Sequence, residues 1–78
     1  MLIESIYKGH VCRIDTDKIV KFSERTVGIG IKPSEEIWSA IKQTKRFTIN
    51  NINYKVSQEL DIDDETWFIS RTEPRSQK

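Results

Sequence analysis

The sequence predicts an α+β fold that is mostly β: a small antiparallel sheet or partial β-barrel of about five to six strands with one helix. Three observations support this prediction. Aromatic and β-branched residues are concentrated in residues 46–71, two pairs of turn-forming residues divide that stretch, and a one-sided apolar stripe follows a proline–serine pair. Because strands precede and follow the predicted helix, we expect it to lie across the open face or one end of the sheet.

Size and charge bound the class of protein. At 78 residues the chain predicts one β-rich domain over residues 1–71 and a flexible C-terminal tail over residues 72–78, where TEPRSQK has no apolar side chain. The net charge of +1 argues against a general nucleic-acid binder. A single cysteine excludes an internal disulfide. The apolar runs are too short for a signal peptide or a membrane span, so the expected location is the cytoplasm.

The N-terminal part alternates short strands with polar turns. Residues 1–6 are an apolar lead-in, interpreted as an edge strand, and Lys8-Gly9 is a turn. Residues 10–14 alternate between apolar and polar side chains, which is typical of a strand.

Two further strands are predicted before the helix. Residues 19–22 form the strand that returns along residues 10–14, with Val20 and Phe22 on one face. In residues 27–31, VGIGI, the apolar side chains share one face and the glycines share the other. Glycines on one face of a strand leave room for close approach by another element.

The helix is predicted over residues 34–44, from Ser34 to Thr44. Ser34 is a suitable N-cap, and the two glutamates that follow it complement the positive end of a helix. Trp38 lies at the edge of an apolar stripe with the spacing i, i+3, i+4 and i+7, formed by Ile37, Ala40, Ile41 and Thr44.

Residues 46–71 predict a three-stranded meander with turns at Asn50-Asn51 and Asp63-Asp64. The first turn sets Ile49 opposite Ile52 and Phe47 opposite Tyr54, and the second sets Leu60 opposite Trp67 and Gln58 opposite Ile69. The resulting expectation is one common apolar layer, formed by Phe47, Ile49, Ile52, Tyr54, Leu60 and Trp67.

No pattern in the chain predicts catalysis, a metal or a cofactor. His10 and Cys12 provide two metal ligands where zinc needs three or four, and they also lack the geometry of a nucleophile and its base. The acidic run from Asp61 lacks the glycine and glutamate that a calcium loop requires. Gly28-Ile29-Gly30 lacks the third glycine of a dinucleotide fingerprint. The sequence therefore predicts a protein that is not an enzyme.

The residues proposed for partner binding combine a partly exposed tryptophan with charges of both signs. A half-exposed tryptophan is a frequent interface anchor, and basic residues gather near the end of the helix. The candidate set is Trp38, Lys42, Lys45, Arg46, Asp63, Asp64 and Arg71.

The second half of the chain, IKPSEEIWSAIKQTKRFTINNINYKVSQELDIDDETWFISR, resembles the small head-closure, or head–tail joining, proteins of tailed phages. The resembling features are an acidic segment, a basic step, the strand RFTI, a tight turn, a strand with Tyr54 and Val56, an acidic loop and the closing strand WFISR. The resemblance implies a short β-barrel.

The resemblance also implies a function: a phage or prophage structural protein that joins head and tail in a homo-oligomeric ring. Its partners would be proteins, with no membrane or small-molecule substrate, and its location the host cytoplasm and the virion. Two alternatives follow from the residues. One is a small inhibitor or regulator that binds a host protein through Trp38. The other is a nucleic-acid-binding module that uses Lys42, Lys45, Arg46 and Arg71.

Overall fold

The computed structural model describes residues 1–73, which form seven strands and one helix. The elements, in chain order, are β1 (Leu2–Tyr7), β2 (His10–Asp15), β3 (Ile19–Lys21), β4 (Thr26–Ile31), α1 (Glu36–Thr44), β5 (Arg46–Ile49), β6 (Ile52–Ile62) and β7 (Glu65–Thr72). All strand pairs are antiparallel, and the sheet order is β2-β1-β5-β6-β7-β4-β3. This curled half-barrel confirms the predicted fold class.

Three hairpins share one kind of turn. The two loop residues of each have positive φ: 51° and 81° in Lys8-Gly9, 52° and 65° in Asn50-Asn51, and 51° and 66° in Asp63-Asp64. Two consecutive positive φ values define the tight turn whose twist matches that of the flanking strands. Asparagine and aspartate tolerate this conformation better than other side chains, so the turns predicted at all three positions are confirmed.

The turn at Asn50-Asn51 fixes the register of β5 against β6. Ile49 lies opposite Ile52 and Phe47 opposite Tyr54, as predicted. The Phe47 and Tyr54 rings are stacked with their centroids 5.3 Å apart. Both rings are buried on the inner face of the sheet, the face against which α1 packs.

A β-bulge at Ser57 divides β6 into two segments that face opposite ways. Val56 lies opposite Ser70, but Gln58 lies opposite Ile69, so Ser57 is an extra residue. Leu60 does lie opposite Trp67, as predicted. The common apolar layer is nevertheless wrong, because the bulge reverses the alternation and turns this pair to the outer face.

Strand β3 does not return along β2. It pairs with β4 at the far edge of the sheet, while β1, expected at an edge, lies between β2 and β5. The glycines of β4 explain this pairing. Phe22 packs over the bare backbone of Gly28, with ring atom Cε2 at 3.0 Å from the position that a Cβ would take.

Helix α1 begins two residues later than predicted. Glu35 is the N-cap, with φ −80° and ψ 140° and no side-chain capping hydrogen bond, so the prediction of Ser34 as the cap is wrong. The backbone N–H of Glu35 bonds instead to the carbonyl of Lys32, which closes a turn just before the helix. At the other end, Lys45 adopts φ 61° and donates its N–H to the Ile41 carbonyl.

The core lies between α1 and the inner face of the sheet. Its largest fully buried side chains, each contributing about 1.5–3 kcal/mol by burial, are Ile3, Ile29, Ile31, Ile37, Ile41 and Phe68. The alternating apolar residues of β4 therefore face inward, as the sequence predicts.

The chain remains in the sheet slightly beyond the predicted domain boundary. Thr72, predicted in the tail, is the last residue of β7, and the N–H of Glu73 donates to the Asn53 carbonyl at 2.9 Å. Residues 74–78 of the predicted tail lie outside the described residues. Within residues 1–73, no helix is long and apolar enough to cross a membrane.

Candidate functional site

The predicted binding residues separate into groups at different places on the molecule. Trp38, Lys42 and Lys45 lie where α1 and its C-cap meet β6 and β7. Asp63 and Asp64 form the β6–β7 turn beside them, while Arg46 and Arg71 lie on the other side of the sheet, in a row with Lys55.

Trp38 anchors the helix to the sheet. Its indole Nε1–H donates to Thr66 Oγ1 at 2.9 Å, and the Thr66 hydroxyl donates to Asp61 at 2.9 Å. Trp38 is half-buried against the core, as its place at the edge of the stripe predicts. A chain of two hydrogen bonds thus fixes the indole ring, with only part of it facing solvent.

The two lysines of this region share one carboxylate. Lys42 Nζ lies 2.7 Å from Glu59 Oε1, and Lys45 forms an ion pair with the other oxygen of Glu59. The hydrogen bonds from Lys42 and Lys45 lower the pKa of Glu59, and the bond to Glu59 raises the pKa of Lys42. Lys42 also lies over the Trp38 ring, 5.4 Å from its centroid. These lysines are therefore not available as an open basic patch.

A shallow acidic groove of about 670 Å³ adjoins Trp38 and includes Asp63 and Asp64. Lys32 lines the same groove. Among residues 1–73, no group of three or more histidine, cysteine or acidic side chains is arranged to hold a metal ion.

A row of cations crosses the outer face of the sheet, formed by Arg46, Lys55 and Arg71 on three neighbouring strands. Arg46 lies directly opposite Lys55, and Lys55 lies directly opposite Arg71. The next residue in the row is Thr26, opposite Arg71. Arg25 precedes Thr26, and together these four basic side chains are called the cationic ladder below.

The cationic ladder borders a groove with a volume of about 1260 Å³. Arg25, Lys55 and Arg71 line this groove, as do the hydroxyl-bearing residues Ser23, Thr26, Ser57 and Thr72. Two carboxylates, Glu24 and Glu73, line it as well.

An apolar strip continues from the cationic ladder along the same outer face. It consists of Val20, Phe22, Leu60, Trp67 and Ile69, of which Phe22 is 59% exposed. Trp67 lies across Gly30, and Phe22 and Ile69 lie over Gly28. Because these side chains fill the space left by the glycines, the strip is a nearly flush surface and not a cleft.

His10 and Cys12 share a face of β2 but form no site. His10 is exposed near the Lys8-Gly9 turn, and Cys12 is buried opposite Ser5. Burial raises the pKa of the Cys12 thiol, and the nearby Glu36 carboxylate adds to the shift. A thiol with a raised pKa is a poor nucleophile.

No family model and no curated protein matches this chain. A solved structure does: flavin reductase PheA2 in its native state superposes with a TM-score of 0.80 at 14% identity, over 94% of this chain and 74% of that chain. At that identity the likeness establishes the fold alone. The fold of this small domain is therefore one that a flavin reductase uses.

This finding overturns the predicted function. The fold is that of a flavin reductase and not one that indicates a phage structural protein, so the function of joining head and tail is wrong. The host-protein regulator and the nucleic-acid module considered beside it find no counterpart in the comparison. The likeness is to the fold of an enzyme, and that this protein is not an enzyme stays a prediction.

Sequence reasoning missed half of the cationic ladder and most of the apolar strip. Arg71 and Arg46 were predicted, whereas Lys55 and Arg25 were not. The position of Lys55 follows from the Asn50-Asn51 turn. The register that this turn sets, continued by one pair beyond Phe47 and Tyr54, places Arg46 opposite Lys55. Arg25 had no such signal, since its position depends on the pairing of β4 with β7, which is distant in sequence.

Proposed function

We propose that this protein is a flavin-binding domain that holds the flavin ring on the apolar strip of its outer face. The observation that supports this proposal most directly is the likeness of the fold to flavin reductase PheA2 over 94% of the chain. The seven-residue set named by sequence analysis stays a prediction of contact sites, and protein partners and a host-cell location likewise stay predictions.

The apolar strip has the shape that a planar ring requires. Phe22 is exposed, and Trp67 and Ile69 are half-buried beside it, and all three side chains pack against the glycines of the neighbouring strand β4. Stacking of a heterocyclic ring on an exposed aromatic side chain is worth about 1–3 kcal/mol. A bound flavin supplies redox chemistry, and the side chains of this face would hold and orient it.

The polar end of the strip fits the other half of such a ligand. Arg71 follows Ile69 by two residues on β7 and faces the same way, so it lies about 7 Å farther along the strand. Trp67 lies about 13 Å from Arg71 by the same rise per residue. With the ring over Trp67 and Ile69, a ribityl chain would extend along β7 toward the cations, and the long side chain of Arg71 would reach its polar end.

A titration of riboflavin with this protein tests the proposal. Binding to Phe22 and Trp67 should raise the fluorescence polarisation of the flavin and quench the tryptophan emission. Phe22→Ala should weaken binding by about tenfold, as expected for the loss of one stacking partner.

Leu2→Ala is the matched control. Leu2 is also an apolar side chain on the outer face, 45% exposed, but it lies on β1, away from the strip. Its truncation should leave riboflavin binding unchanged. Unchanged polarisation with the wild-type protein, or equal losses from both substitutions, would contradict the proposal.

A further inference from the structure

We infer that Arg25, Lys55 and Arg71 form a binding site for a phosphate monoester at the end of the sheet where the β3–β4 turn meets β6 and β7. This inference is independent of the flavin proposal. It rests on the register of the strands and on the charges that surround the groove.

The register places like charges in direct opposition twice. Arg46 is opposite Lys55, and Lys55 is opposite Arg71, on three adjacent strands. Like charges at directly opposed positions destabilise a sheet, by some tenths of a kcal/mol for each pair. Such a row is unfavourable for folding unless an anion lies against it.

The protein's own carboxylates leave most of this charge uncompensated. Glu73 Oε2 lies 2.8 Å from Nε of Arg46, so this carboxylate compensates the charge of Arg46 at the end of the row. In the described part of the chain, no ion pair within 4 Å involves the side chain of Arg25, Lys55 or Arg71. Glu24 is the other acidic residue of the groove, and it is exposed.

The backbone that carries these cations is well fixed. The N–H of Thr72 donates to the Arg25 carbonyl at 2.9 Å, which ties the β3–β4 turn to β7 beside Arg71. The Arg25 N–H in turn lies 3.3 Å from Ser23 Oγ, which accepts its hydrogen bond. Ser57 donates its hydroxyl to the Ile69 carbonyl at 3.0 Å, which holds the bulge next to Lys55. An anion would therefore meet three cations that a fixed backbone holds next to one another.

The arrangement favours a compact dianion. Two guanidinium groups can each donate two parallel hydrogen bonds to phosphate oxygens, and an ammonium adds a point charge. Lys55 and Arg71 lie on adjacent strands about 5 Å apart, and Arg25 precedes the residue opposite Arg71, so this cluster suits one phosphate group better than an extended polyanion. The overall net charge of only +1 supports the same choice, because a nucleic-acid surface needs a broader basic excess.

Thermal unfolding with added inorganic phosphate, at ionic strength matched with sodium chloride, tests the site. The unfolding midpoint should rise by roughly 6–11 °C once phosphate exceeds its Kd about tenfold. Lys55→Gln should raise the midpoint without phosphate, because it relieves both repulsions, and should abolish most of the response to phosphate. Lys32→Gln, at an exposed lysine outside the cluster, should keep the full response.

Flavin mononucleotide and riboflavin separate this inference from the flavin proposal. If both stand, the mononucleotide binds about tenfold more tightly than riboflavin, and Lys55→Gln or Arg71→Gln removes that difference. A response to phosphate with no flavin binding leaves the site standing and overturns the flavin proposal. Equal responses to phosphate in wild type, Lys55→Gln and Arg71→Gln would overturn the site, whichever flavin binds. A short oligonucleotide that binds far more tightly than phosphate would overturn the choice of ligand.

Discussion

Trp67 lies across the bare backbone of Gly30, and a Cβ built on this glycine would meet indole atoms Cε2 and Cζ2 at 2.8 Å. The two residues are directly opposite each other on β4 and β7. Because Gly30 has no side chain, β7 can place a tryptophan on the outer face without the indole ring protruding from the surface.

Gly30→Ala should therefore lower the free energy of unfolding by about 1–3 kcal/mol, because the added methyl group must displace the indole ring. Urea denaturation followed by circular dichroism measures the change. Gly28→Ala is the control, since its Cβ would meet only the ends of Phe22 and Ile69, at 3.0 and 3.1 Å. A larger loss from Gly28→Ala than from Gly30→Ala would refute this explanation.

Removal of Ser57 should leave the faces of β6 unchanged. Val56 pairs with Ser70 and Gln58 pairs with Ile69, so without Ser57 these pairs would follow one another in a regular ladder and Glu59 would stay on the inner face, where it meets Lys42. Circular dichroism and a thermal melt of the deletion variant measure the effect. Ser57→Ala keeps the residue count and loses only the hydroxyl bond to Ile69, so it should cost about 1 kcal/mol. A deletion variant that unfolds, or that is much less stable than Ser57→Ala, would contradict this reading of the register.

Glu59→Gln should reduce stability at neutral pH and have less effect in acid. The pKa of Glu59 is lowered in the folded protein by its bonds to Lys42 and Lys45, so its contribution is present above the unfolded value of about 4.3 and lost as the pH falls through the folded value. We expect a difference of only about 1 kcal/mol near pH 7, because both lysines are partly exposed to solvent, which screens the ion pairs. Denaturation at several pH values should show this difference closing below about pH 4. A gap that widens in acid would contradict the assignment.

Thr66→Val should destabilise the contact between α1 and the sheet. The change removes the acceptor of the Trp38 Nε1–H and the donor to Asp61, while the shape of the side chain is preserved. The expected loss is about 1–3 kcal/mol, with a red shift of Trp38 emission as water replaces the lost partner. Thr48→Val, at a partly buried threonine of β5 that bonds to Asn53, is the control and should leave the Trp38 emission unchanged.

The local features of this fold could be read from the sequence because short-range chemistry decides them. Asn50-Asn51 and Asp63-Asp64 supply the positive φ values that tight turns need. The four pairs of directly opposed residues that were predicted from these turns are confirmed. The inner face of β4 follows from its alternation. The apolar stripe of α1 follows from its spacing in the same way.

The features that the sequence did not disclose depend on distant contacts or on one extra residue. Nothing about Ser57 marks it as a bulge, yet it decides which way Leu60 and Trp67 face. β3 pairs with β4 and not with β2, and this pairing depends on the packing of Phe22 over the bare backbone of Gly28. The binding residues followed the same rule: Arg71 was predicted, but its grouping with Arg25 required the whole sheet.

The two margins of the sheet have different capacities for joining another molecule. β3 has only three residues and offers an incoming strand little backbone for hydrogen bonding, whereas β2 has six residues. We therefore expect self-association in concentrated solution to occur through main-chain pairing along His10–Asp15. A proline in place of Val11 or Arg13 would then prevent this pairing between molecules.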